Sequence, residues 1–162
     1  MRQLFREYAD SLGIDLSFQG FDRELAALPG AYGEARGLLL LALVDGRDAG
    51  CVAVRDRGDG VAELKRLFVR PGFRSLGLGR RLAVEALAAA RALGHRRVVL
   101  DTLPTMGAAQ RLYESLGFVD VEPYTENPIP GTRFLGLDLG AAPSPSANET
   151  AIRGSAAASI DR

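Results

Sequence analysis

Between Val69 and Arg80 the chain reads Val-Arg-Pro-Gly-Phe-Arg-Ser-Leu-Gly-Leu-Gly-Arg, with Gly72, Gly77 and Gly79 interleaved with Arg70, Arg74 and Arg80. Glycine lets the backbone approach a ligand with no Cβ in the way. The first amides of a following helix are unpaired donors at the positive end of its dipole. Read from its residues alone, the stretch is either a plain turn ahead of a helix or a loop for an anion, and a pyrophosphate fits it. Two familiar phosphate loops are excluded. The dinucleotide fingerprint needs a third small residue where Leu82 stands, and the P-loop needs a Gly-Lys-Ser/Thr run that this chain lacks. Glu63, a carboxylate in the strand that precedes this loop, reads on its own as a cross-strand partner for a basic residue or an ion pair with Lys65.

The elements that position these residues follow from periodicity and punctuation. Leu4, Phe5, Tyr8 and Leu12 recur at helical spacing before Gly13, and Phe21 to Leu28 reads as a shorter helix stopped by Pro29 and Gly30. Leu38 to Val44 and Gly50 to Arg55 form a hairpin about Asp45 to Asp48. Val61 to Val69 is the next strand, with Glu63, Lys65, Leu67 and Val69 on one face and Leu64, Arg66 and Phe68 on the other. After the glycine loop, Leu78, Leu82, Ala86, Ala90 and Leu93 mark a helix closed by Gly94, and the strand Arg97 to Asp101 follows. Thr105 is placed to cap a helix carrying Ala109, Leu112, Tyr113 and Leu116, ended by Gly117. Phe118 to Val121 and Thr132 to Leu139 are the last strands. Alternating strands and helices with hairpins at the ends predict one α/β domain over residues 1–140, built on a twisted mixed sheet.

Composition narrows the function. At 162 residues the chain suits a single core, and 20 basic against 20 acidic residues give no net charge to draw nucleic acid or an anionic membrane. The longest apolar run, Leu38 to Val44, is far short of the about 20 residues of a membrane helix. The charges at Arg2, Arg6, Glu7 and Asp10 leave no signal-peptide core. Cys51 is the only cysteine, so an internal disulfide is impossible and a cytoplasmic location is expected. It reads as core, and His95 reads as a surface or capping residue. Residues 141–162 turn to Ala, Ser, Pro and Thr with no aromatic, the composition of a disordered tail.

Two motifs together carry a resemblance. Arg74-Ser-Leu-Gly77-Leu-Gly79, with Val69 five residues ahead of Arg74, is similar to the cofactor loop of the GNAT superfamily of N-acetyltransferases. Ala109-Gln-Arg-Leu112-Tyr113-Glu-Ser-Leu-Gly117-Phe118 resembles its A-x-x-(L/F)-Y-x-x-x-G-F segment. The likeness covers Leu38 to Leu139 and extends to an uncharacterised bacterial subgroup. It implies acetyl-coenzyme A as co-substrate, with no metal. The pyrophosphate would lie on Arg74, Ser75, Leu76, Gly77, Leu78, Gly79 and Arg80. The pantetheine would pair with Leu67, Phe68 and Val69, in a sheet split between strands 61–69 and 97–101.

By the same resemblance Tyr113 protonates the departing thiolate, and Glu63 stands where one branch keeps its general base. The acceptor implied is a small-molecule amine. A non-catalytic acyl-coenzyme A module and a protein lysine or N-terminal acetyltransferase are the alternatives. Asp101, Tyr32, Tyr124 and Asn127 are candidates to line an acceptor pocket. Two departures stand out. Met106 occupies a position where many members have Asn, and the first edge strand is missing. The latter leaves Leu38 to Val44 as an open edge, for which a homodimer or another cover is expected.

Overall fold

A computed structural model describes residues 1–140 and the backbone of Ala158–Ile160. The chain enters through α1 (Arg2–Leu12), which buries Leu4 and Phe5 and stops at Gly13, whose φ of 64° is a left-handed geometry that suits glycine. A short α2 (Phe21–Ala27) follows. Then come β1 (Leu38–Val44), β2 (Arg47–Gly58) and β3 (Val61–Val69), an antiparallel meander. α3 (Leu78–Ala92) turns Leu78, Leu82, Ala83, Ala86 and Ala90 inward, and this narrow, mostly alanine stripe brings the helix close to the sheet. It returns the chain to β4 (Arg97–Thr102), which lies parallel to β3. α4 (Gly107–Ser115), β5 (Val119–Asp120) and β6 (Arg133–Asp138) complete the described domain.

Among the described residues the sheet runs β5-β6-β4-β3-β2-β1-β7, with β7 being Ala158–Ile160. α1 and α2 cover one face, where Leu4, Phe5, Phe21 and Tyr32 pack with Cys51, Ala53 and Phe68. α3 and α4 cover the other, over Val52, Leu64, Val98 and Leu100, with Tyr113 and Phe118 in the same cluster. The mixed α/β architecture expected from the sequence is therefore the one observed.

Several local expectations differ from the structure. β3 does not alternate throughout: Cys51 faces Phe68 and Ala53 faces Lys65, so Arg66 and Leu67 both stand opposite Val52. This is a bulge, and Arg66 adopts a φ of 58° to make it. Beyond it the faces exchange, so Leu67 and Val69 join the α3 side while Phe68 joins the α1 side. Thr105 does not cap α4, which begins after Met106 with no side-chain cap. His95 is buried, its Nε2 2.9 Å from the Arg36 carbonyl, because the chain tucks in after α3. The β1 edge carries β7, paired in parallel from Leu40 to Ala42. Apart from those three residues, the segment expected to be a tail lies outside the described residues.

Gly50 marks the closest approach within the sheet. A Cβ there would lie 2.6 Å from the Phe68 carbonyl oxygen and 3.3 Å from Val69 Cα, both backbone atoms of β3. Gly50→Ala must therefore push β2 away from β3 just beyond the bulge. It is expected to destabilise the fold by about 1–3 kcal/mol, read as a lower denaturant midpoint at unchanged m-value.

Candidate active site

β3 and β4 are hydrogen-bonded only from Val61 to Glu63, against Arg97 to Val99, and then diverge. The cleft that opens is lined by Leu64, Lys65, Arg66 and Leu67 of β3, by Asp101, Leu103 and Met106 after the paired part of β4, and by Tyr113. α1 and the turn behind it close it with Tyr8, Leu12, Leu16 and Gln19. It holds about 480 Å³ of open space, its solvent-facing mouth included. The sheet split expected from the sequence is thus present between the two predicted strands.

Tyr113 is 5% exposed and packs edge-on against Phe118, with ring centres 5.6 Å apart. Burial raises its pKa above the ordinary phenol value, so the hydroxyl keeps its proton at neutral pH. No protein hydrogen bond claims that hydroxyl among the described residues.

The glycine loop leads into α3 as expected. Pro71–Leu76 forms a 3-10 turn, Gly77 takes a φ of 69°, and the first helical bond runs from the Arg81 amide to the Gly77 carbonyl at 3.2 Å. The amides of Leu78, Gly79 and Arg80 therefore have no partner within the helix. A Cβ at Gly77 would meet nothing within 4 Å, and one at Gly79 would meet only Val69 Cγ2 and Leu112 Cδ2, at 3.8 and 3.9 Å. The space over the loop is open, which fits a bound pyrophosphate. Arg74 Nε donates to the Val69 carbonyl at 3.1 Å, and Arg80 Nη1 donates to Ser115 Oγ at 2.9 Å. Both side chains brace the loop, while Ser75 and Leu76 are exposed within its turn.

Glu63 lies apart from this cleft's lining. Its carboxylate is fully buried and accepts from Arg55 Nε at 2.6 Å, Arg57 Nη1 at 3.2 Å and Tyr124 OH at 3.2 Å, with Lys65 Nζ at 3.5 Å. Burial alone would raise its pKa, but Lys65, Arg55 and Arg57 outweigh burial and hold it below the usual carboxylate range. Lys65 is lowered in turn by its own burial, against the pull of Glu63.

Of the acceptor-pocket candidates, Asp101 reaches the cleft, and Asn127 Nδ2 holds its Oδ2 at 2.8 Å. Tyr124 serves Glu63 instead, and Tyr32 is buried with its hydroxyl 2.9 Å from Glu24. Cys51 is core, its thiol pushed up to about 12 by burial.

Tyr8, Gln19, Lys65 and Arg66 were not singled out from sequence. Arg66 is fastened to Glu24 at 2.9 and 2.6 Å and stacks on Tyr8 and Phe21. Tyr8 packs edge-on against Phe68 and under Arg66, and the neighbouring Glu7 ties α1 to Arg70 after β3 at 2.7 and 2.8 Å. The only available signal was the charge inside an apolar strand at Lys65 and Arg66. No helix among the described residues is long and apolar enough to cross a membrane, and none of their His, Cys, Asp and Glu groups is placed to hold a metal.

Comparison with known proteins bears on this geometry. Residues 1–118 match the profile of the Acetyltransferase (GNAT) family. An uncharacterised N-acetyltransferase of Schizosaccharomyces pombe is 44% identical over 140 residues, spanning 85% of this chain and 86% of its own. Among solved structures, a GNAT acetyltransferase of Staphylococcus aureus superposes with a TM-score of 0.71 at 20% identity, covering 85% of this chain and 92% of that one. The yncA protein of Salmonella typhimurium, solved with acetyl-CoA, gives 0.59 at 24% identity over 79% of each chain.

The Glu63 cluster sets a stability prediction. Because Glu63 and Glu24 are both held below their ordinary value of 4.5, their contribution is complete above that pH and is lost as pH falls through the depressed folded values. Glu63→Gln should cost about 2 kcal/mol. That is less than the ~3–5 expected for a wholly buried pair, since the Arg55 and Arg57 side chains are 35% and 30% exposed. Its unfolding free energy should also fall less steeply than the native protein's on acidification below pH 4.5, as followed by denaturant titration at stepped pH.

Proposed function

Because the chain belongs to the GNAT acetyltransferase family, an acyltransferase family using acetyl-CoA, we propose that it moves the acetyl group to the primary amine of a small molecule by direct attack. The observation that carries this reading is the Tyr113 phenol, buried and still protonated, at the cleft where β3 and β4 part. The open row of amides at Leu78, Gly79 and Arg80 supports a pyrophosphate at the start of α3. The backbone of Leu67, Phe68 and Val69 lies beyond the last β3–β4 bond, so an extended pantetheine can pair there like an added strand.

With donor and acceptor held together, the neutral amine attacks the thioester carbonyl. The C–N bond forms, the tetrahedral oxyanion collapses, the C–S bond breaks, and Tyr113 gives its proton to the thiolate and regains one from the adduct nitrogen as the amide forms. An alkylamine with a pKa of about 10 is almost wholly protonated at pH 7, so it must first lose a proton. Glu63, the base expected from the resemblance, faces four donors and has a depressed pKa, which makes it a weak proton acceptor. Asp101 is the better-placed carboxylate. Asn127 and Gln19 hold its Oδ2 at 2.8 and 3.5 Å, and no donor among the described residues reaches Oδ1. In this scheme Glu63 anchors Lys65 and the strand edge. The lone cysteine, a buried free thiol, suits a reducing cytoplasm.

Two measurements test the reading. Tyr113→Phe keeps the ring against Phe118 and removes only the acid, so acetyl-CoA affinity should persist while kcat falls by ~10²–10⁴-fold if chemistry limits the rate. Wild-type turnover with chemistry shown to be limiting would end that assignment. Gly77→Val puts a branched side chain where nothing of the protein lies within 4 Å, over the open space of the loop, and at a φ of 69° it also strains the turn, so Tm should fall modestly. Affinity of the folded variant for acetyl-CoA by calorimetry should drop by roughly 10-fold or more, because the side chain and the reshaped turn compete with the anion and its amide bonds. Unchanged affinity would remove the pyrophosphate from this loop.

A further inference from the structure

Lys65 is the one cation of the cleft that the protein leaves incompletely answered. Its ammonium is buried, 8% exposed, and reaches only Gln19 Oε1 at 3.4 Å and Glu63 Oε1 at 3.5 Å. Both contacts are long, and Glu63 already has two shorter bonds from Arg55 and Arg57. The neighbouring Arg66 is different, since Glu24 neutralises it through a two-pronged pair and Gln19 takes Nη1 at 3.0 Å. Lys65 and Arg66 are the two cations that line the cleft and Asp101 is its one carboxylate, so among the described residues positive charge is in surplus on this lining. A buried charge without a close partner is costly, and a ligand anion relieves that cost.

The opposite sign stands across Gln19. Its Oε1 accepts from Lys65 and Arg66, while its Nε2 donates to Asp101 Oδ2 at 3.5 Å. One amide side chain thus separates a cationic wall from an anionic one, and no donor among the described residues reaches Asp101 Oδ1. Apolar Leu12, Leu16, Leu64 and Leu103 make up much of the remaining lining, so the charges are concentrated at two points.

We propose that the acceptor is a small amino acid, its carboxylate taken by Lys65 and its amino group presented by Asp101. The inference rests on the acetyltransferase reading and adds the substrate class. The ammonium nitrogen loses two protons in becoming an amide. One passes to Asp101 and on to solvent before attack. The other leaves as the tetrahedral adduct collapses and restores the proton that Tyr113 gives to the thiolate. The products are the N-acetylamino acid, free coenzyme A thiol and one proton.

The test compares α-amino acids with their carboxamides, which keep the amine and side chain but lose the negative charge. With acetyl-CoA and detection of free thiol, kcat/KM for the acids should exceed that for the amides by at least roughly tenfold, since charge-assisted bonds carry the difference. Lys65→Met retains the apolar stem and should bring that ratio towards one by raising KM for the acids. Lys65→Arg should restore part of it, which a merely structural lysine would not do. Acids and amides turned over alike by the native enzyme would overturn the proposal and leave the acetyltransferase reading intact.

Calorimetry of the same compounds against the native protein saturated with coenzyme A supplies a readout independent of turnover. Binding of acids over amides, abolished in Lys65→Met, supports the site. Equal or absent binding of both rejects it. Absence of thiol release from every amine, with acid-selective binding retained, would instead defeat the acetyltransferase reading.

Discussion

Opposite Val52, β3 carries two residues where an ordinary ladder would carry one, and most of the site depends on that extra residue. A non-glycine φ of 58° at Arg66 is uncommon, and it persists only because its surroundings hold it there. The guanidinium supplies the hold: Glu24 grips it in two places, Tyr8 and Phe21 lie under it, and Gln19 caps Nη1. Turning Arg66 toward α2 exchanges the faces of everything that follows, so Leu67 and Val69 drop towards α3. It also bends the strand where β4 departs. Two parallel strands that stayed paired would close the cleft, and a strand with no partner at all would not hold its shape. Short pairing with β4 followed by continued pairing with β2 satisfies both demands.

The charged cluster beside the bulge serves the same end at a cost. A fully buried glutamate is tolerable only when it is surrounded by donors, and Glu63 has Arg55, Arg57, Lys65 and Tyr124 around it. Such pairs add little net stability compared with an apolar core, but they fix geometry, because every member must sit where its partner expects it. Here they lock β2 to β3 across the strand pair Arg55 and Glu63 and tie the loop after β5 to the sheet through Tyr124. The same loop reaches Asp101 through Asn127. One polar network therefore supports both walls of the cleft, and loosening it at Glu63 would be felt at Asp101.

How far this could be read from sequence follows from what each feature is made of. The glycine loop, the helix stripe of Leu78, Leu82 and Ala86, and the Leu112-Tyr113 segment are local patterns, and they appear in the structure at the expected positions. Strict alternation, the default for a strand, fails in β3 beyond Lys65, and neither Arg66 nor Leu67 is a residue that announces a bulge. Thr105 suggests a cap because its hydroxyl can accept from a helix amide, but the turn it joins runs one residue longer, to Met106. His95 looked exposed beside Arg96 and Arg97, and only the tertiary path that brings Arg36 against it explains its burial. Tyr8 and Gln19 reach the cleft through the packing of α1, across more than forty residues of chain, and no spacing rule encodes that.

On the proposed reading, the donor and acceptor halves of the site differ for the same reason. The donor half is mostly backbone: unpaired amides at the start of α3 and an unpaired stretch of β3, both products of glycine placement and strand geometry. Backbone recognition tolerates many side chains but few loop shapes, so its motif is compact and legible. The acceptor half is made of side chains drawn from α1, the turn at Gln19, β3, β4 and α4, and apart from Arg66, which holds the bulge, they are not bound to one loop shape. That freedom lets one fold serve many acceptors, and it also scatters the specificity residues along the chain. In this protein Lys65 sits one residue ahead of the Arg66 bulge, and Gln19 accepts from both Lys65 and Arg66, so the charges of the cleft and the bulge share one contact. On the proposed reading, acceptor recognition and strand geometry are coupled, and a change that straightened β3 would alter both.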